Sequence, residues 1–314
     1  MAAQPYRHYI QPEADADFPA EAGRYHLYVT YSCPFACRAL AARNLKGLQD
    51  VIGLSVAHPI FQKTKPDDAS DDHLGWTFVD PAKQSTIKDV NGKEYSTEGC
   101  IPDTVLNTTY VRDIYELVSK EPRRYTVPLL WDKKKQTIVS NESADILRTL
   151  NTGFRDLVSS NVDLLPEALV KQIEELNDGV VNDIAGSLFK IVLAKDEETR
   201  LAELNAYFSN VQRIEEILLK SRFLVGNSIT EADVRLFHAL IRFDVSQRAS
   251  DKSNLTQYPN VVNYLRELYQ TPALKSTVNW EHLKVMLVNF SFGVGTDPSV
   301  DYEAAHNRAT RFAN

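Results

Sequence analysis

Cys33 stands at a joint, and its neighbours decide what its sulfur can do. The stretch reads Tyr31-Ser32-Cys33-Pro34-Phe35-Ala36-Cys37-Arg38. Residues before it, 24–30 (RYHLYVT), are rich in β-branched and aromatic types and predict a strand. Residues after it, 34–46, are rich in Ala, Leu and Arg, strong helix formers. Pro34 suits a first helical turn, where its missing N–H costs nothing. Cys33 therefore falls at a helix N-terminus, where unpaired N–H groups and the positive end of the macrodipole favour a thiolate. Such placement lowers a cysteine pKa from about 8.5 into a range of roughly 3.5–7.5. The competing reading is a small apolar residue that merely precedes a helix. A dithiol site would place a second cysteine at 36, which is alanine. Cys37 lies a full turn on and reads as core. A mixed disulfide on Cys33 would thus need an external thiol to resolve it.

The elements around this joint follow from punctuation and periodicity. Gly47 is a C-cap signal, and residues 51–56 (VIGLSV) form a second apolar run. The resulting β-α-β unit predicts parallel strands. Residues 58–107 are polar, with Pro and Gly throughout, and read as a long loop of the kind that is often functional. In it, Trp76 of the GWTF stretch is either a plug over a core edge or a ligand wall. Residues 110–119 are amphipathic. Residues 126–132 and 137–140 predict an antiparallel hairpin. Pro128 inside the first of these strands removes a ladder donor, which a cis Val127–Pro128 bond would accommodate. Asn141-Glu142-Ser143 opens another helix, to about residue 150. Its acid and hydroxyl are either capping groups or a place to hold a ligand's ammonium and carboxylate. Helices are predicted over 168–193, 197–221, 230–246, 261–270 and 280–289. Thr230 and Asp233 form a capping box at the third of these, which makes Asp233 structural.

Composition narrows the alternatives. The chain has 314 residues, 43% hydrophobic and 25% charged, with a net charge of −7. That length suits about two domains, and the acidic balance argues against nucleic acid or an anionic membrane as the main partner. No apolar run approaches the ~18 residues of a membrane span. The first residues lack the features of a signal or transit peptide, which points to the cytoplasm. Three scattered cysteines give no disulfide framework, and no metal-ligand spacing occurs.

The order β-α-β then α-β-β-α is that of a thioredoxin-like domain, here followed by helices alone. The whole resembles the glutathione transferases. The stretches 18–38, 75–78, 126–143 (TVPLLWDKKKQTIVSNES), 223–245 (FLVGNSITEADVRLFHALIRFDV), 258–272 and 277–284 are similar to the glutathionyl-hydroquinone reductases, the Xi-class, omega-like transferases. The resemblance implies an N-terminal thioredoxin-like domain with a C-terminal all-helical glutathione transferase domain. The residues themselves divide the chain into an extension (1–23), a thioredoxin-like domain (24–152), a helical domain (153–290) and a polar, Gly-containing tail (291–314) expected to be poorly ordered. The resemblance makes the second the glutathione-binding domain and the third the acceptor-substrate domain. It implies glutathione as cosubstrate and Cys33 as the nucleophile. Trp76, Arg112, the Val127 main chain, Glu142 and Ser143 would bind glutathione, with Arg124 a rival to Arg112. It also implies a homodimer.

Two departures from the family pattern concern the acceptor. A family tyrosine in a G-V-Y-K motif corresponds to Phe189, and a second has no counterpart in residues 285–289. The glutathione half of the site is kept, while the acceptor half is rebuilt and more apolar. The expected activity is removal of glutathione from an aromatic or apolar conjugate. The alternatives are omega-like thiol transfer or dehydroascorbate reduction, and a non-catalytic glutathione or small-molecule binding protein.

Overall fold

The computed structural model describes residues 4–248, 250–290 and 292–313. The chain forms two compact units, residues 1–162 and 163–314.

The first unit is built on a four-stranded sheet in the order β2-β1-β7-β8. Strand β1 (Tyr25–Val29) is buried along its whole length. It pairs in parallel with β2 (Gly53–Val56), Leu27 opposite Leu54. On its other side it pairs antiparallel with β7 (Leu129–Asp132), which forms a hairpin with β8 (Thr137–Ser140). Helix α1 (Pro34–Leu45) makes the crossover. It ends at Gly47, whose φ of 70° lets the chain reverse. The Gly47 and Leu48 amides then bond the Asn44 and Arg43 carbonyls. The predicted loop 58–107 contains two small antiparallel ribbons: β3 (Gln62–Lys63) with β4 (Leu74–Gly75), and β5 (Thr86–Lys88) with β6 (Glu94–Ser96). Strands of two or three residues show no readable period, although Asn91-Gly92 is a hairpin signal. Helix α2 (Val111–Val118) precedes the hairpin, and α3 (Ser143–Thr152) follows it.

Both ends of this unit differ from expectation. The lead-in is attached to the sheet: His8 N–H donates to the Val139 carbonyl, Tyr6 and Asn141 exchange bonds, and Ile10 is buried. At the other end, residues 153–162 stay with the first unit instead of beginning the second. Phe154 meets Tyr25 edge-on, Ser160 bonds the Leu45 carbonyl, and Lys46 bonds the Val162 carbonyl. The helix end at Thr152 is visible in the sequence, but these long-range contacts are not.

The second unit is helical: α4 (Val170–Leu176), α5 (Asn182–Val192), α6 (Glu197–Lys220), α7 (Glu231–Ser246), α8 (Pro259–Tyr269), α9 (Pro272–Lys275), α10 (Trp280–Val285) and α11 (Arg308–Arg311). The single helix predicted over 168–193 is interrupted between α4 and α5 by a wide turn, Asn177–Val181. Gly179 leaves helical geometry there (φ −93°, ψ −118°), and glycine adopts such angles at little steric cost. The tail is packed. Asp244 accepts bonds from Ser299, Val300 and Tyr302. Arg308 is 1% exposed and caps the Leu218, Ser221 and Arg222 carbonyls. No described helix is long and apolar enough to cross a membrane.

Under the sheet, His26 Nε2 meets Ser55 Oγ at 2.8 Å. Its ring lies against Gly53, where an added Cβ would sit 2.3 Å from Nδ1. Burial pushes its pKa from 6.5 down to about 4. Between those values the unfolded chain takes up a proton that the folded chain refuses. The stability present above pH 6.5 is therefore lost as pH falls toward 4. We expect this group to remove roughly 2–3 kcal/mol between pH 7 and 4.5. Urea unfolding at both values, for wild type and His26→Gln, checks it: the variant should lose distinctly less on acidification. Equal losses would refute the assignment.

Candidate active site

Cys33 is the N-cap of α1, with extended backbone (φ −85°, ψ 119°) and Pro34 next to it. Its side chain is half-buried and makes no capping bond to the helix. Instead the thiol donates to the Val127 carbonyl at 3.7 Å. The Val127–Pro128 bond is cis, as the strand proline suggests. Val127 is itself 5% exposed, and no described residue accepts its N–H. Cys33 and Val127, 94 residues apart, thus face each other across the end of the sheet.

Cys37 is fully buried, its sulfur 3.3 Å from the Tyr31 carbonyl and 3.6 Å from that of Thr30. It is a core residue, as its helical spacing from Cys33 indicates. Cys100 is buried as well, and burial pushes its thiol pKa up to about 12. Neither has the character of a second reactive thiol.

Glu142 and Ser143 begin α3. Glu142 is its N-cap, and Oε1 accepts the Ala144 amide in a long 3.4 Å bond. Its other oxygen has no bond among the described residues. Ser143 is 4% exposed. Its hydroxyl accepts two N–H groups of Arg38, from Nε at 3.0 Å and Nη2 at 2.5 Å. That contact joins the cysteine helix to the start of α3. The sequence reading missed Arg38, since nothing local connects positions 105 residues apart.

Trp76 and Arg112 contact other side chains than Cys33, Val127, Glu142 and Ser143 do. Trp76 lies edge-to-face on Phe61, with ring centroids 4.4 Å apart, and its carbonyl accepts the Val111 amide. Arg112 bonds Asp71 and Glu116, each at 2.6 Å, and Thr64 at 3.1 Å, and stacks over Tyr125. The Asp71 contact holds the guanidinium above its ordinary pKa, and Asp71 itself is lowered to about 2 by Arg112. Its charge is thus already matched by two acids, although its five N–H groups exceed the three bonds made here. Arg124 is exposed.

In the second unit, Phe189 meets Phe290 edge-on at 6.1 Å. It lines an open groove of about 470 Å³ with Lys190, Leu193, Lys195 and Thr199.

A thioredoxin-like sheet with a cysteine capping its first helix, on a chain that continues into a helical unit, is the architecture of a glutathione transferase. Residues 32–152 match the family described as glutathione S-transferase, N-terminal domain, and residues 197–267 match its C-terminal domain. The chain is 35% identical to glutathionyl-hydroquinone reductase YqjG of Escherichia coli, over 96% of this chain and 87% of that protein. It is 30% identical to glutathionyl-hydroquinone reductase PcpF of Sphingobium chlorophenolicum, over 91% of this chain and 83% of that one. The glutathione-bound structure of Escherichia coli YqjG superposes with a TM-score of 0.83 at 32% identity, covering 98% of this chain and 97% of that one. The chain belongs to the glutathione S-transferase family, among the Xi-class glutathionyl-hydroquinone reductases.

Proposed function

We propose that this enzyme takes glutathione as cosubstrate and reductively removes the glutathionyl group from an aromatic conjugate of the glutathionyl-hydroquinone type. The observation that carries this reading is one half-buried sulfur on the N-cap residue of α1, bonded to the Val127 carbonyl, while Cys37 is sealed in the core. That arrangement suits a monothiol cycle. The Cys33 thiolate attacks the sulfur of the conjugate. The bond from that sulfur to the ring carbon breaks, its electron pair stays on the ring, and the carbon takes a proton. A Cys33–glutathione mixed disulfide remains. A second glutathione attacks it as thiolate, releasing glutathione disulfide and restoring Cys33. In sum, one conjugate and one glutathione give one hydroquinone and one glutathione disulfide.

The Val127 main chain offers an N–H and a carbonyl to the cysteinyl part of glutathione. Ser143 and the first N–H groups of α3 suit the γ-glutamyl carboxylate, and Glu142 suits its ammonium. Trp76 forms a wall beside the tripeptide, and Arg112 joins the contacts with the N–H groups that Asp71, Glu116 and Thr64 leave over. Phe189 has no hydroxyl to offer an acceptor oxygen, which favours a less polar aromatic acceptor. The acceptor is a small molecule, and the protein works in the cytoplasm as a homodimer.

The test is to supply a glutathionyl-hydroquinone with glutathione and follow both products, trapping the adduct on Cys33 by mass spectrometry. We expect hydroquinone and glutathione disulfide in equal amounts. Glutathione disulfide formed from two glutathione only when dehydroascorbate is supplied and reduced to ascorbate, with none formed from the conjugate, would move the activity to the omega-like alternative. Absence of any adduct on Cys33 would sink the catalytic reading.

A further inference from the structure

Arg38 sits five residues beyond Cys33 on α1 and is 9% exposed. Two of its N–H groups converge on the single oxygen of Ser143, and its guanidinium carbon lies 5.1 Å from the Phe35 ring centroid. A guanidinium can only donate, whereas a serine hydroxyl has one proton and two lone pairs. With Arg38 donating to the oxygen, the Ser143 proton is turned away from the guanidinium and is available only as a donor. Ser143 is also the first residue of α3, a ten-residue helix. The N–H groups and dipole of that helix end favour an anion. A buried positive charge directly behind the hydroxyl strengthens the same preference.

We infer that Arg38 is a positioning residue for glutathione, acting through Ser143 to make the start of α3 a receptor for the γ-glutamyl carboxylate. The inference rests on the glutathione reading above. It gives the cationic part of carboxylate recognition to Arg38, whereas Arg112 is engaged by Asp71 and Glu116. Two parallel N–H bonds onto one oxygen require the planar fork of arginine, so lysine is a poor substitute.

The experiment measures binding of glutathione and of cysteinylglycine, which lacks the γ-glutamyl group, by calorimetry on the full chain. Wild type, Arg38→Lys, Arg38→Met, Ser143→Ala and the Arg38→Met/Ser143→Ala double variant are compared, with thermal unfolding as a check of folding. We expect Arg38→Met and Ser143→Ala each to weaken glutathione about tenfold, while cysteinylglycine changes by less than about twofold. The double variant should be no weaker than Ser143→Ala, because the two residues form one unit. Cys33 alkylation by iodoacetamide should keep its wild-type rate. Arg38→Lys, which keeps the charge but not the fork, should weaken glutathione binding in the same selective way. Wild-type affinity in both Arg38 variants, equal losses for both thiols, or additive losses in the double variant would overturn the role of Arg38. A wild-type protein that does not bind glutathione overturns the functional reading itself, a separate outcome.

Discussion

Cys33→Ser should abolish release of glutathione disulfide from a glutathionyl-hydroquinone, lowering kcat by at least about 10³-fold. A serine hydroxyl at the α1 N-cap is isosteric enough to preserve the fold but does not ionise near neutral pH. It also cannot form the mixed disulfide through which both half-reactions pass. The contrast is Cys37→Ala. The Cys37 sulfur is turned toward the Thr30 and Tyr31 carbonyls, so this variant should keep kcat within about twofold. Steady-state assays of both proteins, with circular dichroism to confirm folding, decide the matter. Turnover surviving in Cys33→Ser, or vanishing in a folded Cys37→Ala protein, would reject the monothiol cycle.

Asp233→Ala is expected to cost about 3–4 kcal/mol. The carboxylate is fully buried and burial pushes its pKa up. It accepts bonds from the Leu224 and Thr230 amides, the Thr230 hydroxyl and the Tyr264 hydroxyl, all at 2.8–2.9 Å. Truncation removes the cap of α7 and leaves buried donors without acceptors, which is worse than losing one exposed bond. Chemical unfolding monitored by far-UV circular dichroism measures the loss. A change below about 1 kcal/mol would mean that these donors find other acceptors. Asp233→Asn, which keeps one carbonyl oxygen, should fall between wild type and alanine.

The parts of this protein that were legible in sequence are those fixed by local chemistry. Pro34 and Gly47 delimit α1, and so place Cys33 at its mouth. Thr230 and Asp233 announce the start of α7, and Pro128 marks the cis bond beside the site. Pairings between distant positions were not legible. Arg38 and Ser143 are 105 residues apart, and no local pattern links them. The tail reads as poorly ordered because it is polar and contains glycine, yet its contacts are polar ones: Asp244 gathers Ser299, Val300 and Tyr302, and Arg308 caps helix-end carbonyls. Buried charges of this kind carry no hydrophobic period. Arg112 illustrates the converse, since its family-derived role meets an ion-pair cluster that only three-dimensional proximity to Asp71 creates.

The four-stranded sheet has a bridge on each outer strand: Arg7 pairs with Ser140 on β8, and Ile101 pairs with Val56 on β2. Unpaired edges are templates for adventitious strand addition, and proteins guard them with short covering segments. Residues 4–10, which look dispensable when the domain is counted from β1, are such a guard. A piece of this chain cut at Gly23 would keep the cysteine, the cis proline and α3, yet would present β8 to any neighbouring strand. The lead-in is thus part of the sheet's edge, although it precedes the first strand.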